Sequence, residues 1–319
     1  QFAAGYDRLI VSNGFSSAIM RGGSTTNGVN VVNGGMAPAW IVDVSTHSFV
    51  TYNPTAQNTG YQSLYNAAPL IGQASYSNIQ TTGGSNINLT TGLNNGLATV
   101  SLNQVGFNGT AAITLQDNPN VFALRVVQSS GTNNNSTFNL NNNGTNNTIT
   151  IASGGLIIGS VNSSGGSTYT VNMNPNLVFG SIGTPVEALI CAPSGGNAST
   201  TIINGNLTAA GLTKFGTGQV NIHSINPNVS SAVVVNQGNL LVRVPYSGSG
   251  SAVPQALNGQ DVILNGGAIV LEPFIANAAG TLSDIASPVR AQALFNSNII
   301  VRADSTIGNN GQAQYARIA

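Results

Sequence analysis

The residues that could carry acid–base chemistry are few in this chain, and they are far apart. The 319 residues include eight acids, eight basic residues, two histidines and one cysteine. Polysaccharide-cleaving enzymes need two or three carboxylates that converge on one face of the protein. Here no two acids lie within ten residues of each other: Asp7, Asp43, Asp117, Glu187, Asp261, Glu272, Asp284 and Asp304. They could converge only between distant parts of the chain.

The other reactive side chains fit structural roles better than catalytic ones. His47 and His223 have no adjacent acid and stand in no metal-ligand pattern. Cys191 lies in the stretch EALICAP, which favours a small core residue over a nucleophile, and a lone cysteine forms no internal disulfide. We interpret Lys214 and Arg125 as surface or turn charges. The sequence therefore predicts a protein that is not an enzyme, without a catalytic site, a metal or an organic cofactor.

The composition narrows the partners that the protein could have. Only 5% of the residues are charged, whereas roughly 25% is usual for a soluble domain. The formal net charge is +0, so the electrostatic footprint of a protein that binds nucleic acid or anionic lipid is missing. No run of 18 apolar residues predicts a membrane span. Asparagine makes up roughly one residue in seven, so the surface is expected to be polar by hydrogen bonding and not by charge.

Short stretches of alternating apolar and polar residues must position these side chains. Such alternation is typical of half-buried β-strands, and Asn-Gly, Gly-Gly, Ser-Gly and Asn-Pro turn signals separate the stretches. The clearest apolar sets are Val100/Leu102, Leu124/Val126, Phe138/Leu140, Ile149/Ile151, Val171/Met173, Val220/Ile222, Val233/Val235, Leu240/Val242 and Val262/Leu264. Helix-period patterns of useful length are missing. The sequence predicts an all-β protein.

A parallel β-solenoid explains the pattern better than a sandwich, because the strands are short and the turn signals continue for the whole length. Residues 81–319 are predicted to form a right-handed parallel β-helix, and residues 1–80 a less regular lobe packed on its side or end. The tract TNNNSTFNLNNNGTNNTITI suits stacked Asn ladders, with Phe138, Leu140, Ile149 and Ile151 inside. The alternative for this tract is a flexible low-complexity linker.

Aromatic residues are concentrated in the N-terminal lobe: Trp40, Phe49, Tyr52, Tyr61 and Tyr65. Two interpretations stay open. Trp40, Tyr52, Tyr61 and Tyr65 could form a platform on which sugar rings stack. Alternatively, the aromatic residues form a small satellite core, and this second interpretation is favoured.

One segment, residues 211–242, carries a recognisable motif. It reads GLTKFGTGQVNI and, ten residues later, VVVNQGNLLV. This resembles the passenger-associated, or autotransporter-associated, β-strand repeat of bacterial surface proteins. The residues at the motif positions are Gly211, Leu212, Thr213, Lys214, Gly216, Gly218, Val235, Gly238 and Leu240. From the residues alone, Gly216 and Gly218 are expected to allow positive φ or a close approach of coils. Leu212, Val220 and Ile222 are expected to face the core.

The resemblance implies a right-handed parallel β-helix outside a Gram-negative-type cell, within a longer polypeptide. The expected function is that of a non-enzymatic structural protein of the cell surface: a filament, surface layer or matrix component. Its expected partners are copies of itself or adjacent segments of a longer chain, with surface polysaccharide as a further candidate. The alternative is an adhesin, or a β-helix that binds or cleaves carbohydrate.

Overall fold

The structure is a computed structural model, and it describes sixteen stretches of the chain. These stretches are residues 39–43, 46–53, 60–63, 76–81, 99–105, 109–129, 136–144, 146–160, 169–193, 199–224, 227–246, 256–276, 282–283, 293–295, 297–309 and 316–318. Everything below concerns these residues. Parts of the predicted N-terminal lobe, including Tyr65, lie outside them.

β-Strands are the main secondary structure of the described stretches. In chain order the first strands are β1 (Val42–Asp43), β2 (Ser48–Asn53), β3 (Gly60–Ser63), β4 (Tyr76–Thr81), β5 (Thr99–Val105), β6 (Gly109–Thr114), β7 (Asn120–Val121), β8 (Ala123–Ser129), β9 (Ser136–Asn141), β10 (Thr148–Ile151), β11 (Gly155–Ser160), β12 (Tyr169–Met173), β13 (Asn176–Phe179) and β14 (Glu187–Cys191). They continue with β15 (Ser199–Ile203), β16 (Leu207–Ala209), β17 (Gly211–Phe215), β18 (Gln219–Ile222), β19 (Asn228–Val229), β20 (Val233–Val235), β21 (Asn239–Tyr246), β22 (Val262–Leu264), β23 (Ala268–Ala276), β24 (Leu282–Ser283), β25 (Ala293–Phe295), β26 (Ile299–Val301), β27 (Thr306–Asn309) and β28 (Ala316–Ile318). The only helical element in these ranges is a 3₁₀ helix, Ala256–Gly259. The all-β prediction is confirmed.

The strands stack in coils along three sheets. Sheet I has the order β26-β22-β20-β17-β14-β11-β8-β5-β4, sheet II the order β24-β23-β21-β18-β15-β12-β9-β6 with β27 also on β23, and sheet III the order β19-β16-β13-β10-β7. From β5 to β23, consecutive strands fall in different sheets, and through most of this stack each strand pairs in parallel with the strand three positions along the chain. This is a parallel β-helix, as predicted. Parallel crossovers are right-handed in nearly all proteins, and the right hand of this coil stays a prediction.

Alternation along each strand sends one set of side chains into the solenoid. In sheet II, for example, the register aligns Val220, Leu240 and Ile269 of three successive coils. All three side chains are fully buried in one continuous apolar core. Burial of a side chain of this size contributes roughly 1.5–3 kcal/mol, so the stacked columns supply most of the stabilisation.

The Asn-rich tract is part of this stack. Phe138 and Leu140 of β9 and Ile149 and Ile151 of β10 all lie in the core, as predicted. The alternative interpretation of the tract as a flexible linker is wrong for the described residues, because β9 and β10 pair with strands of the neighbouring coils.

The predicted Asn ladders are present on the outside of the same coils. Asn174 Nδ2 donates to Asn141 Oδ1 at 2.7 Å, and Asn204 Nδ2 donates to Asn174 Oδ1 at 2.8 Å. Two residues earlier on the same pair of strands, Asn172 Nδ2 of β12 donates to Asn139 Oδ1 of β9 at 2.7 Å. Each amide thus bonds the coil above or below, and an uncharged surface is held in register.

The described part of the N-terminal lobe, within residues 39–63, packs on the side of the solenoid. Strands β1, β2 and β3 form an antiparallel sheet, unlike the coils. Phe49 of β2 and Ala39 lie against Ile157 and Cys191 on the outer face of sheet I. The parallel stack already begins with β4 at Tyr76, a few residues before the predicted boundary at 80/81.

Among the described residues, no helix is long and apolar enough to cross a membrane.

Candidate functional site

Lys214 stands in a column of core residues. The register of sheet I aligns it with Ile190 on one side and Val235 on the other. Beyond these, Leu156 and Leu264 continue the column. All four neighbours are buried, and so is Lys214, whose relative exposure is 0%. An ammonium group therefore ends inside the solenoid.

The buried ammonium is held by three main-chain carbonyls. Lys214 Nζ donates to the oxygens of Gly216 at 2.5 Å, Gly218 at 2.5 Å and Gln237 at 2.6 Å. Three donors thus meet three acceptors. Burial lowers the pKa of Lys214 to about 8, which leaves the amine protonated at neutral pH. Lys214 was interpreted as a surface or turn charge: the surface part is wrong, because the charge is buried, and the turn part is right, because its acceptors are carbonyls of two turns.

The glycines of the motif make room for this arrangement, which we call the Lys214 cradle: Lys214, Gly216, Gly218, Gln237 and Gly238. Gly216 has φ +79°, and a Cβ there would lie 2.4 Å from the carbonyl oxygen of Ala192 in the previous coil. At Gly218 a Cβ would lie 2.7 Å from the oxygen of Pro193. The prediction of positive φ or close coil approach at these glycines is confirmed.

Gly238 closes the Lys214 cradle from the next coil. It has φ +66°, and a Cβ there would lie 2.4 Å from Lys214 Nζ and 2.6 Å from the oxygen of Gly218. Any side chain would collide with the ammonium and with backbone that cannot move away. The lysine, Gly-x-Gly and the later glycine of the motif therefore form one structural unit that spans two coils.

The other motif residues have simpler roles. Leu212 and Leu240 lie in the core, together with Val220 and Ile222, as predicted. Thr213 points outward, where its hydroxyl donates to the carboxylate of Glu187 in the previous coil. At Gly211 a Cβ would come within 3.3 Å of the oxygen of Ala232, so a small residue suits that position.

Arg125 is the second buried cation, with a relative exposure of 1%. Its Nε donates to the carbonyl oxygen of His47 at 2.6 Å and one terminal nitrogen donates to that of Thr46 at 3.1 Å. The other terminal nitrogen donates to Ser101 Oγ at 2.9 Å. The guanidinium therefore joins the turn between β1 and β2 to the outer face of sheet I. Its interpretation as a surface or turn charge is wrong, because Arg125 is buried and lies within strand β8.

Cys191 lies under the same lobe, in the cluster that contains Phe49. Burial raises the pKa of its thiol to about 12. A protonated, buried thiol is a poor nucleophile, which agrees with the interpretation of Cys191 as a core residue.

The acids do not form a metal centre in the described part of the chain. No group of three or more His, Cys, Asp or Glu side chains there is arranged to hold a metal ion. Glu272 Oε2 accepts from Arg243 Nε at 2.7 Å. His223 Nε2 lies 3.6 Å from the same oxygen, but burial and the Arg243 charge lower its pKa to about 4, so the imidazole is neutral at neutral pH. Asp7 and Asp284 lie outside the described residues.

The aromatic residues of the lobe separate into two environments. Phe49 is buried against the solenoid, which confirms the satellite core for this residue. Trp40 is 62% exposed. Tyr52 pairs with Tyr61 across β2 and β3, and Tyr65 lies outside the described residues.

No family model, no curated protein and no solved structure matches this chain. The resemblance to the autotransporter-associated repeat therefore stays a prediction, and proposals about function depend on the geometry above.

Sequence reasoning missed both buried cations for different reasons. In the alternation that starts at Leu212, position 214 falls on the inward face, so the pattern did contain the signal for Lys214. Arg125 falls between the core residues Leu124 and Val126 and therefore points outward. Its burial depends on a lobe some 80 residues earlier in the chain, and no local pattern reports that contact.

Proposed function

We propose that this chain is a non-enzymatic structural protein of the bacterial cell surface, part of a rod, surface layer or matrix built from β-coils. One observation supports this proposal above all: the few side chains that could be reactive have structural roles. Lys214 and Arg125 bind main-chain carbonyls, and Cys191 is buried beneath the lobe. Side chains that would serve chemistry in an enzyme hold the solenoid together here.

The sparsely charged surface supports an extracellular structural role. Asn side chains of successive coils hydrogen-bond to one another along the axis, and buried columns, including the one that contains Lys214, continue from coil to coil. Such a stack is stabilised by each neighbouring coil, so it can be lengthened without any change of design. The resemblance of residues 211–242 to a repeat of bacterial surface proteins points to the same location, outside a Gram-negative-type cell.

Antibodies against the purified chain test this location. Applied to intact cells of the bacterium that makes the protein, they should label the surface, and brief protease treatment of intact cells should remove the label. Labelling that appears only after lysis would overturn the proposal. A cytosolic protein of the same cells serves as the control for integrity.

A second candidate function is recognition of a neutral surface polysaccharide, and the exposure of Trp40 favours it. An exposed indole offers an apolar face for a sugar ring and an N–H for its hydroxyl groups. Trp40 is the only tryptophan of the chain, so its fluorescence reports binding directly. Titration with neutral oligosaccharides should shift the emission if the platform is real. An unchanged spectrum at millimolar sugar would reject this candidate.

A further inference from the structure

One Asn-Gly pair of the solenoid lies in an open corner. Asn143 and Gly144 follow β9 and precede β10, and both residues are exposed. Gly144 has φ +94°, and a Cβ there would have nothing within 4 Å. The glycine is therefore not packed against a neighbouring coil. Asn143 Nδ2 donates to the carbonyl oxygen of Gln116 at 3.2 Å, an exposed contact that water can replace.

An Asn-Gly pair can react with itself in water. The backbone nitrogen of the glycine loses its proton and attacks Cγ of the asparagine, and the side-chain nitrogen leaves as ammonia. The product is a five-membered succinimide ring. Water then opens the ring at either carbonyl, which yields aspartate or isoaspartate and supplies the new carboxylate oxygen. The reaction needs no oxidant, enzyme or cofactor, and glycine favours it because no side chain obstructs the closing ring.

The same pair is held firmly at Asn204-Gly205, between β15 and β16. Asn204 Nδ2 donates to Asn174 Oδ1 at 2.8 Å, and the backbone nitrogen of Gly205 donates to the oxygen of Met173 at 3.3 Å. A Cβ on Gly205 would lie 1.8 Å from the oxygen of Pro175, so this glycine is packed against the previous coil. The amide that must leave and the nitrogen that must attack are thus both bonded to the stack.

Asn265-Gly266, between β22 and β23, is held in the same way. Asn265 Nδ2 donates to Asn236 Oδ1 at 3.2 Å, and the backbone nitrogen of Gly266 donates to Ser305 Oγ at 3.1 Å. A further described pair, Asn258-Gly259, belongs to the 3₁₀ helix. The same two residues therefore stand in different environments, and the corner at Asn143 is the open one among the described turns between strands.

We propose that Asn143 is a site of spontaneous modification, at which the folded chain converts asparagine to aspartate and isoaspartate through a succinimide. The contrast between an exposed, unpacked glycine at position 144 and packed or bonded glycines at positions 205 and 266 carries the inference. It is independent of the proposed function.

The reaction loosens the corner in which it occurs. The product carboxylate has no N–H group, so it cannot donate to the oxygen of Gln116. Isoaspartate also adds a carbon to the backbone of a tightly bonded corner. There the nitrogen of Asn143 donates to Asn147 Oδ1 at 3.1 Å, and the nitrogen of Asn147 donates to Asn142 Oδ1 at 3.2 Å. A longer backbone cannot keep both bonds in place.

Peptide mapping of the full 319-residue chain, incubated at mildly alkaline pH, tests the site. Conversion at Asn143 should be at least about tenfold faster than at Asn204 or Asn265, because hydrogen bonds must open first at those two residues. The rate at Asn143 should rise with pH, since the attacking nitrogen must lose its proton. In urea the three rates should converge, because the dipeptide is the same and the fold that distinguishes the sites is lost.

Two variants separate the chemistry from its consequence. Gly144→Ala should slow conversion at Asn143 several-fold, because a Cβ obstructs ring closure while the site stays exposed. Asn143→Asp carries the product carboxylate from the start, and the backbone amides of residues 143 and 147 should exchange with solvent faster than in the wild type. Equal rates at the three pairs in the folded chain, or an unchanged rate in Gly144→Ala, would overturn the inference. Unchanged exchange in Asn143→Asp would show that the new charge alone does not loosen the corner, and the same measurement on the isoaspartate form then decides whether the longer backbone does.

Discussion

Lys214 and Arg125 lie on opposite faces of sheet I. Each is a buried cation, and the two satisfy their hydrogen-bond donors in different ways. Both are buried, and both donate to main-chain carbonyl oxygens. Lys214 points into the solenoid and joins two turns of consecutive coils through one nitrogen. Arg125 points outward and uses three nitrogens to join the lobe to the side of the stack.

The difference follows from the shapes of the two cations. An ammonium is a compact point charge with three donors, so it fits the small space between stacked turns. A guanidinium is a planar fork, so it can reach two carbonyls and a hydroxyl that belong to separate segments. In a chain with so few charges, buried cations therefore act as crosslinks between backbone segments: one within the repeat, the other between modules.

Removal of the ammonium from the Lys214 cradle should have the largest effect. We expect Lys214→Ala to lower the free energy of unfolding by about 4 kcal/mol, because three buried carbonyls lose their donor and a cavity is left. Lys214→Met keeps the volume and removes the buried charge, and we expect a loss of about 2 kcal/mol. Urea denaturation followed by circular dichroism measures both.

Hydrogen exchange localises this effect. Amides of β17, β18 and β20 should exchange faster in Lys214→Ala, whereas amides of β9 and β10, several coils away, should be little affected. If Lys214→Met proved as stable as the wild type, the ammonium would add nothing to stability, and the Lys214 cradle would only accommodate it.

The glycine that closes the Lys214 cradle should have the next largest effect. We expect Gly238→Ala to cost about 3 kcal/mol, because the new Cβ would meet both Nζ and backbone at a positive φ. Gly144 separates the two causes: it has φ +94° with nothing within 4 Å, so Gly144→Ala should cost about 1 kcal/mol. Gly183 has neither feature, and Gly183→Ala should be neutral. Equal losses in all three variants would show that the close contact at Gly238 is unimportant.

Core positions and the glycines of the motif could be predicted from the sequence. The alternation at Phe138, Leu140, Ile149 and Ile151 predicted that these side chains point into the core. Successive side chains of a strand point to opposite faces, and the apolar set lies on the buried face. The positive φ at position 216 is likewise a local property of the backbone, whereas the close approach of Ala192 there is a contact between coils. Local rules therefore predicted the fold class and the glycines of the motif.

Contacts between distant segments could not be predicted in this way. The burial of Arg125 requires Thr46 and His47 to lie across sheet I, and neither sequence spacing nor composition indicates that docking. Lys214 was misplaced for another reason: charge was taken to mean surface, although three backbone carbonyls can satisfy an ammonium inside a core.

Arg125 gives the third prediction, and it concerns docking of the lobe more than stability of the coils. Arg125→Met should weaken docking by about 2 kcal/mol, because two carbonyls and a hydroxyl lose a charged donor. Cys191 lies beneath the lobe, so the rate of thiol modification reports opening. We expect modification to be about 30-fold faster in this variant, the equivalent of that free energy.

The control for this experiment is Lys214→Met, which alters the other cation. It should change the unfolding midpoint with a smaller effect on thiol modification at low denaturant. Arg125→Lys keeps the charge without the fork and should remain partly open. If Cys191 reacted at the wild-type rate in Arg125→Met, the apolar contacts of Phe49 and Ala39 would suffice to hold the lobe.

The smallest expected effect is a pH dependence on the Arg125 side between neutral and acidic pH, a range in which Lys214, whose pKa is about 8, stays protonated. Burial and the nearby Arg125 charge lower the pKa of His47 from its ordinary value of 6.5, while Asp43 acts in the opposite sense. A lowered pKa means that the docked state favours the neutral imidazole. Docking should therefore be strongest above pH 6.5 and weaken as the pH falls below it.

His47→Asn is the matched variant, because asparagine tolerates the φ of 46° at this position and does not titrate. Modification of Cys191 by a dipyridyl disulfide, normalised at each pH to a small thiol, should accelerate a few-fold on acidification in the wild type and stay flat in His47→Asn. The same acid response in both proteins would place the titrating group elsewhere.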